Sequence, residues 1–205
     1  MRRDLSIAKD IININYNINY HKVKKNKNPA SEIDTSDVNV TFASAREFIE
    51  QSPFKYAFNK KIRSIKIPEH VTVIKKGMFY GCEGLVCVEI PASVIRIEAH
   101  AFQNCTNLRQ IKFAENSRLS KIGSFTFAGC IFLEEVNLPP VTEIGSFAFA
   151  QCHSLRLLRF GNSYFFPSGI EKIPRYTFAG CKRLPSVEFD NNSLLETIDN
   201  KAFFG

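Results

Sequence analysis

Hydrophobic residues recur along residues 62–205 in a fixed order that is repeated several times. Each recurrence contains Phe-x-x-Cys-x-x-Leu, and a further one begins at Phe203, close to the last residue, Gly205. The complete copies are Phe79/Cys82/Leu85, Phe102/Cys105/Leu108, Phe127/Cys130/Leu133, Phe149/Cys152/Leu155 and Phe178/Cys181/Leu184. The cysteines of successive copies are 22 to 29 residues apart. A repeat of this length predicts one turn of a solenoid per copy.

Two more groups of apolar residues follow each Leu and predict the local structure of a unit. The first is an apolar-x-apolar triplet such as Val136-Asn137-Leu138, whose alternation is typical of a short strand. A Pro such as Pro139 often follows, where the strand ends and no backbone N–H is needed to pair with a neighbouring strand. The second is an aliphatic pair spaced by three residues, as in Val141/Ile144. The Phe-x-x-Cys segment predicts a compact turn or short helix on the opposite side.

No single unit of this kind can bury its own apolar face, so neighbouring units must stack and equivalent residues must form ladders. We therefore expect one continuous ladder of phenylalanine rings, beside ladders of Leu and of Ile or Val. The phenylalanine ladder is predicted to contain Phe79, Phe102, Phe127, Phe149, Phe178 and Phe203. Upstream, residues 62–74 fit the same frame without a Phe-x-x-Cys segment.

The segment Ile144-Gly-Ser-Phe-Ala-Phe-Ala-Gln-Cys-His-Ser-Leu155 resembles the BspA-type leucine-rich repeat, a class found in bacterial surface proteins and in parasitic protists. The resemblance covers residues 62–205. It implies an α/β leucine-rich repeat solenoid of about five to six coils, with short parallel strands on the concave face and turns or short helices on the other. Two departures are Pro174, where Gly is usual, and an insertion at 161–168 that is expected to bulge from one edge.

The N-terminal third predicts a separate organisation. Residues 1–40 are polar and rich in Asn and Lys, which favours a disordered tail, and the Ile/Tyr alternation from Ile12 to Tyr20 leaves a loosely packed strand as the alternative. Within this tail, residues 29–40 are interpreted as a linker. Residues 41–61 are expected to cap the first coil, with a short helix at 44–51 that starts at a Ser-x-x-Glu capping box. The aromatic residues Phe54, Tyr56 and Phe58 would then cover the exposed edge.

Composition and charge exclude several classes of protein. The net charge is +7, but the densest basic run, Lys22 to Lys27, contains no aromatic residue and lies in a polar tail, so we expect no nucleic-acid partner. The sequence contains no apolar run of about 18 residues, so it predicts no membrane span. The start lacks the apolar core of a secretory signal, which favours a cytoplasmic location, whereas the family resemblance favours the cell surface.

The cysteines and histidines predict neither a metal site nor a catalytic one. Five of the six Cys occupy one repeat position, where they are expected to act as small buried hydrophobes and weak donors to turn carbonyls. Cys87 precedes an inward Val and is expected to point outward, and a free outward thiol favours a reducing compartment. No zinc-ligand spacing, His-Glu-x-x-His or phosphate loop is present, so we expect no cofactor and no enzymatic activity.

These features favour a non-enzymatic binding module. The resemblance implies a surface that recognises a protein or glycan, of the cell-surface adhesion or receptor type, and the alternative is an intracellular protein–protein interaction scaffold. Both hypotheses assign binding to outward strand residues, which form two rows; the alternative is that these residues are merely solvated positions of the strands. The first row is Ser64, Cys87, Gln110, Glu135, Leu157 and Ser186, and the second is Lys66, Glu89, Lys112, Asn137, Arg159 and Glu188.

The last unit predicts self-association. The chain stops after Phe203-Phe204-Gly205, before the expected Cys, and this arrangement is typical of part of a longer array. Ladder residues such as Ile198 and Phe203 would then lack a neighbouring coil, and an open strand edge is a template for another chain.

Overall fold

The computed structural model describes residues 39–41, 54, 56–160, 169–189 and 194–205. These residues form a solenoid of short parallel strands joined by turns. In chain order the strands are β1 (Asn39–Thr41), β2 (Ser64–Lys66), β3 (Val73–Ile74), β4 (Cys87–Ile90), β5 (Arg96–Ile97), β6 (Gln110–Phe113), β7 (Lys121–Ile122), β8 (Glu135–Leu138), β9 (Glu143–Ile144), β10 (Leu157–Phe160), β11 (Lys172–Ile173), β12 (Glu188–Phe189) and β13 (Thr197–Ile198).

The strands cover two sides of the solenoid. The long-strand face consists of the sheets β1-β2-β4-β6 and β8-β10-β12, and the short-strand face consists of β3-β5-β7-β9 and β11-β13. Every ladder pairs equivalent residues of successive coils, as in Ile65↔Val88 and Val88↔Ile111. The predicted stacking of equivalent positions is therefore confirmed. The short-strand face was not predicted, because a strand of two residues is too short to show alternation.

The third side, here called the turn side, is formed by the Phe-x-x-Cys segments. These segments contain turns, and none of the described residues is helical, so the turn rather than the helix is the correct alternative. Each turn is closed within its coil, as by Cys105 N donating to Phe102 O at 3.2 Å. It is also tied to the next coil, as by Phe102 N donating to Thr126 O at 2.9 Å. The sharp return of the chain thus leaves few backbone donors unpaired.

Backbone conformation explains one recurrent glycine of the turn. Gly129 and Gly180 both have a φ of +75°, a region that L side chains rarely adopt. A Cβ at Gly129 would lie 2.3 Å from Asn104 Oδ1, and one at Gly180 would lie 2.5 Å from Gln151 Nε2. Each glycine therefore leaves room for the amide side chain of the preceding coil.

The predicted phenylalanine ladder forms the centre of the core. Neighbouring rings from Phe79 to Phe203 stack nearly parallel, with centroids 5.0 to 5.9 Å apart. The ladder extends one coil further than predicted, since Tyr56 stacks on Phe79 at 5.6 Å. Tyr56, Asn59 and Ile62 occupy the Phe, Cys and Leu positions of a degenerate copy. The frame of residues 62–74 therefore does have a turn segment before it, with Asn in place of Cys.

A second aromatic stack lies on the turn side and was not predicted. It consists of His100, Phe125, Phe147 and Tyr176, with successive centroids 5.1, 4.7 and 4.8 Å apart. All four residues have a φ near +60°. Positive φ is unusual for bulky residues, and stacking with neighbours stabilises it here.

The structure differs from the N-terminal predictions at residues 39–41. Asn39 and Val40, which composition assigns to a linker, pair with Ser64 and Ile65 in β2, and Val40 aligns with the inward row. Backbone pairing of two residues does not depend on their side chains, so composition could not predict this part of β1. The tail at 1–38, the helix at 44–51 and the bulge at 161–168 lie outside the described residues.

Candidate functional site

The two predicted outward rows lie side by side on the long-strand face. In the first row Cys87 pairs with Ser64 and Gln110 in the ladder, and Glu135 pairs with Leu157. Ser186 follows one coil later, exposed and before β12 begins. The side chains of Ser64, Cys87 and Leu157 are half-buried, whereas those of Gln110 and Glu135 are exposed.

The second row is the more accessible one. Glu89 pairs with Lys66 and Lys112 in the backbone ladder, and Arg159 pairs with Asn137 and Glu188. Lys66, Lys112, Asn137 and Arg159 are exposed, and Glu89 is half-buried. Lys112 Nζ lies 3.3 Å from Glu89 Oε1, so part of this row is neutralised across coils.

A third polar row, which sequence reasoning missed, precedes the first. It includes Arg109, Glu134 and Arg156, all exposed. Glu134 lies 4.0 Å from Arg109 and 3.8 Å from Arg156, and Arg156 also contacts Glu135. The available signal was a charged residue one position before the first row in several units.

The long-strand face is interrupted between β6 and β8. The strands are neighbours but belong to separate sheets, whereas β7 and β9 behind them are paired. A depression of about 320 Å³ opens at this interruption. It is lined by Arg109, Gln110, Ile111, Glu134, Glu135 and Asn137, and we call it the β6–β8 depression.

An exposed aromatic residue stands beside the β6–β8 depression. Phe132 is 40% exposed, and the Arg109 guanidinium lies 5.1 Å from the centre of its ring. Because Arg109 also lines the depression, it connects the aromatic surface to the polar groups. Sequence reasoning missed Phe132, since it lies in the turn before β8 and outside the predicted rows.

A second depression, of about 200 Å³, lies at the ends of β2, β4 and β6. Its floor contains Ile67, Ile90 and Pro91, and Lys66 and Lys112 stand at its rim. It is smaller and more apolar than the β6–β8 depression. Both open on the long-strand face.

The cysteines of the turns have a structural role in the described coils. All six Cys are unpaired, and five of them are buried. Each buried thiol donates to the carbonyl of a ladder aromatic in the preceding coil, as Cys105 Sγ does to Phe79 O at 3.1 Å. Burial raises the pKa of Cys82 and Cys181 to about 12, and such thiols are poor nucleophiles.

Cys87 differs from the other cysteines. Its side chain is half-buried on the long-strand face, 3.9 Å from Gln110 Oε1. Burial raises its pKa, and the positive charge of Lys112 opposes that shift.

Among the described residues no group of His, Cys, Asp and Glu has the arrangement of a metal site. The same part of the chain contains no helix long and apolar enough to cross a membrane.

Comparison with known proteins identifies relatives of this solenoid. The model of the BspA type leucine rich repeat region matches residues 47–165 and 162–205, with six copies. A leucine rich cell surface protein of Faecalibacterium prausnitzii A2-165 is 28% identical, with a TM-score of 0.56, and the match covers 70% of this chain and 39% of that one. A leucine-rich repeat protein of Bacteroides ovatus is 29% identical, with a TM-score of 0.58 and coverage of 75% and 41%.

A third solved structure is matched over most of its length. It is the leucine-rich repeat protein of T. pallidum, which is 25% identical, with a TM-score of 0.50. The match covers 77% of this chain and 86% of that one. The chain spans about two-fifths of the length of the first two relatives. No curated protein matches the sequence.

Proposed function

Because the chain belongs to the BspA-type leucine-rich repeat family, we propose that it is a non-enzymatic binding module whose long-strand face recognises a protein or a glycan at a cell surface. The observation that carries the proposal is the set of outward rows on this face. Their spacing is fixed by backbone ladders such as Ser64↔Cys87↔Gln110, so side chains from several coils are held in register. A rigid surface binds with less loss of conformational entropy than a mobile one.

The location at a cell surface is supported by one relative. The Faecalibacterium prausnitzii protein is described as a cell surface protein, and it shares the fold over 70% of this chain. Labelling of intact cells with a membrane-impermeant biotin reagent tests this part of the proposal. Labelling of the chain supports a surface location, and labelling only after lysis excludes it.

An intracellular scaffold is the second candidate, and the cysteines favour it. None of the six forms a disulfide, and Cys87 is a half-buried thiol on the proposed binding face. Unpaired thiols persist more readily in a reducing compartment than outside the cell. The same long-strand face would then bind a protein within the cell.

The binding role of the long-strand face can be tested with two matched variants. Lys112→Cys and Lys121→Cys, each made in a Cys87→Ser background, place one thiol on β6 or on β7 of the same coil. Both lysines are exposed and both contact a glutamate of a neighbouring coil. Each variant is coupled to a bulky polyethylene glycol maleimide and used to probe arrays of extracellular proteins and glycans.

The two labelled variants are expected to differ. A polymer at position 112 should weaken binding to the arrayed ligand by about tenfold or more, because it covers the long-strand face. The same polymer at position 121 should leave affinity within about twofold. Loss of binding only from position 121, equal loss from both, or no binding by the parent chain would refute the proposal.

A further inference from the structure

The β6–β8 depression contains donors, acceptors and a floor that is partly apolar. Arg109 supplies only donors, Glu134 and Glu135 supply only acceptors, and the amides of Gln110 and Asn137 supply both. A ligand that satisfies such a set must itself donate and accept at several adjacent positions. Hydroxyl groups do this, since each is one donor and an acceptor.

The charges of the depression are paired within the protein, and Arg156, which does not line the depression, supplies the second positive charge. Arg109 and Arg156 pair with Glu134 and Glu135, and the four side chains are 43 to 57% exposed. A surface whose charges are already paired gives a strongly anionic or cationic ligand no net attraction. The ligand that fits this set is therefore neutral and polar.

Phe132 adds the apolar part of the site. The Arg109 guanidinium lies over its ring, 5.1 Å from the ring centre, and the residue is still 40% exposed, so an apolar surface lies next to hydrogen-bonding groups. A pyranose ring has the same combination, because its C–H face is apolar and its edge carries hydroxyl groups. At about 320 Å³ the depression lies at the small end of ligand pockets, about 300–1,000 Å³, which suits a mono- or disaccharide unit.

We infer that the β6–β8 depression is a binding subsite for a neutral saccharide. The inference rests on the proposed function and names the ligand class of one part of the same face. The interruption of the sheet distinguishes this site from the smaller depression at the strand ends: the backbones of β4 and β6 are joined by ladder hydrogen bonds, whereas those of β6 and β8 are not.

The experiment uses neutral oligosaccharides of glucose, galactose and N-acetylglucosamine, with heparin as the anionic comparison, measured by isothermal titration calorimetry. We expect binding of at least one neutral oligosaccharide, with an affinity unchanged within about twofold between low and high salt, because no net charge is involved. Heparin, which the net charge of +7 attracts to other parts of the chain, should bind in a way that weakens in high salt and does not depend on Phe132.

Two substitutions and one control locate the subsite. Phe132→Ala and Asn137→Ala should each weaken saccharide binding by about tenfold. The control is Ile95→Ala. Ile95 is an apolar residue that is 43% exposed and lies just before β5, on the other side of the solenoid. Its substitution should leave the affinity for the saccharide within about twofold. Thermal unfolding of all three variants checks that the fold is retained.

The outcomes separate this inference from the proposed function. No binding of any neutral oligosaccharide at about 10 mM, binding that is lost in high salt, or indifference to Phe132→Ala would overturn the saccharide subsite. If an arrayed protein then still binds and is blocked by the polymer at position 112, the binding module stands and only the subsite falls.

Discussion

The substitution Phe127→Ala tests the aromatic ladder at its centre. Phe127 has no exposed surface, and its ring lies 5.5 Å from that of Phe102 and 5.3 Å from that of Phe149. Truncation of a buried Phe costs about 3–5 kcal/mol because a cavity remains. Each stacked pair adds about 0.5–1.5 kcal/mol beyond the buried area, and two pairs are lost here. We therefore expect a loss in the upper half of that range, about 4–5 kcal/mol.

Urea titration followed by far-UV circular dichroism measures this loss, since the chain has no Trp to report unfolding. Asn137→Ala is the control for a side chain that points outward, and it should change the free energy of unfolding by no more than about 0.5 kcal/mol. Phe203→Ala is the control for a ladder ring with one stacked neighbour. Its ring contacts that of Phe178 at 5.0 Å and is 46% exposed, so its loss should be less than half that of Phe127→Ala.

The ranking of the three variants by loss of unfolding free energy tests whether stacking in the ladder stabilises the fold. Equal losses for Phe127→Ala and Asn137→Ala would refute the ladder as the source of stability. Equal losses for Phe127→Ala and Phe203→Ala would mean that the number of stacked neighbours does not set the cost. A single folded domain has a total stability of about 5–15 kcal/mol, so Phe127→Ala should also lower the yield of folded protein.

Three further predictions concern thiols, pH and association. A thiol reagent should label Cys87 alone in the folded chain and all six Cys after unfolding; rapid labelling of all six in the native state would contradict the buried ladder. Burial lowers the pKa of His100 below its usual value of 6.5, so the unfolded chain takes up the proton first and stability should fall as the pH drops below about 6.5. His100→Phe should flatten this dependence in urea titrations, and an unchanged slope would exclude His100 as its source. Ile198 and Phe203 are 52% and 46% exposed, so the chain should associate as its concentration rises; sedimentation of a monomer at about 100 μM would disprove this.

The core was predictable from the sequence because a stacked solenoid requires the same residue type at the same place in every coil. The spacing of Phe127, Cys130 and Leu133 therefore indicates by itself which residues stack on one another. The second aromatic stack is equally regular, since Phe125 and Phe147 lie two residues before ladder phenylalanines. It was missed because aromatic residues rarely adopt a positive φ. The turn geometry that aligns these rings arises only when neighbouring coils pack on one another.

The candidate site was predictable only in part. Alternation along short strands indicated that Gln110, Glu135 and Asn137 point outward, and the structure has them on that side. Alternation cannot indicate that β6 and β8 leave their backbone groups unpaired with each other. Arg109 and Phe132 lie outside the alternating triplets, and their proximity depends on how one coil packs on the next.

Outward charges alternate in sign from coil to coil, and this pattern explains where binding specificity can arise. In the second row Lys66 is followed by Glu89 and then by Lys112, and in the third row Arg109 is followed by Glu134 and then by Arg156. Ion pairs across coils, such as Lys60 with Glu83 at 2.9 Å, use these charges to hold neighbouring coils in register. Exposed pairs of this kind each contribute only about 0.2–1 kcal/mol, but they leave little net charge to attract a ligand. For the proposed binding module, we expect selective contacts at positions where the repeat is broken, and the unpaired β6 and β8 with Phe132 beside them are such a position.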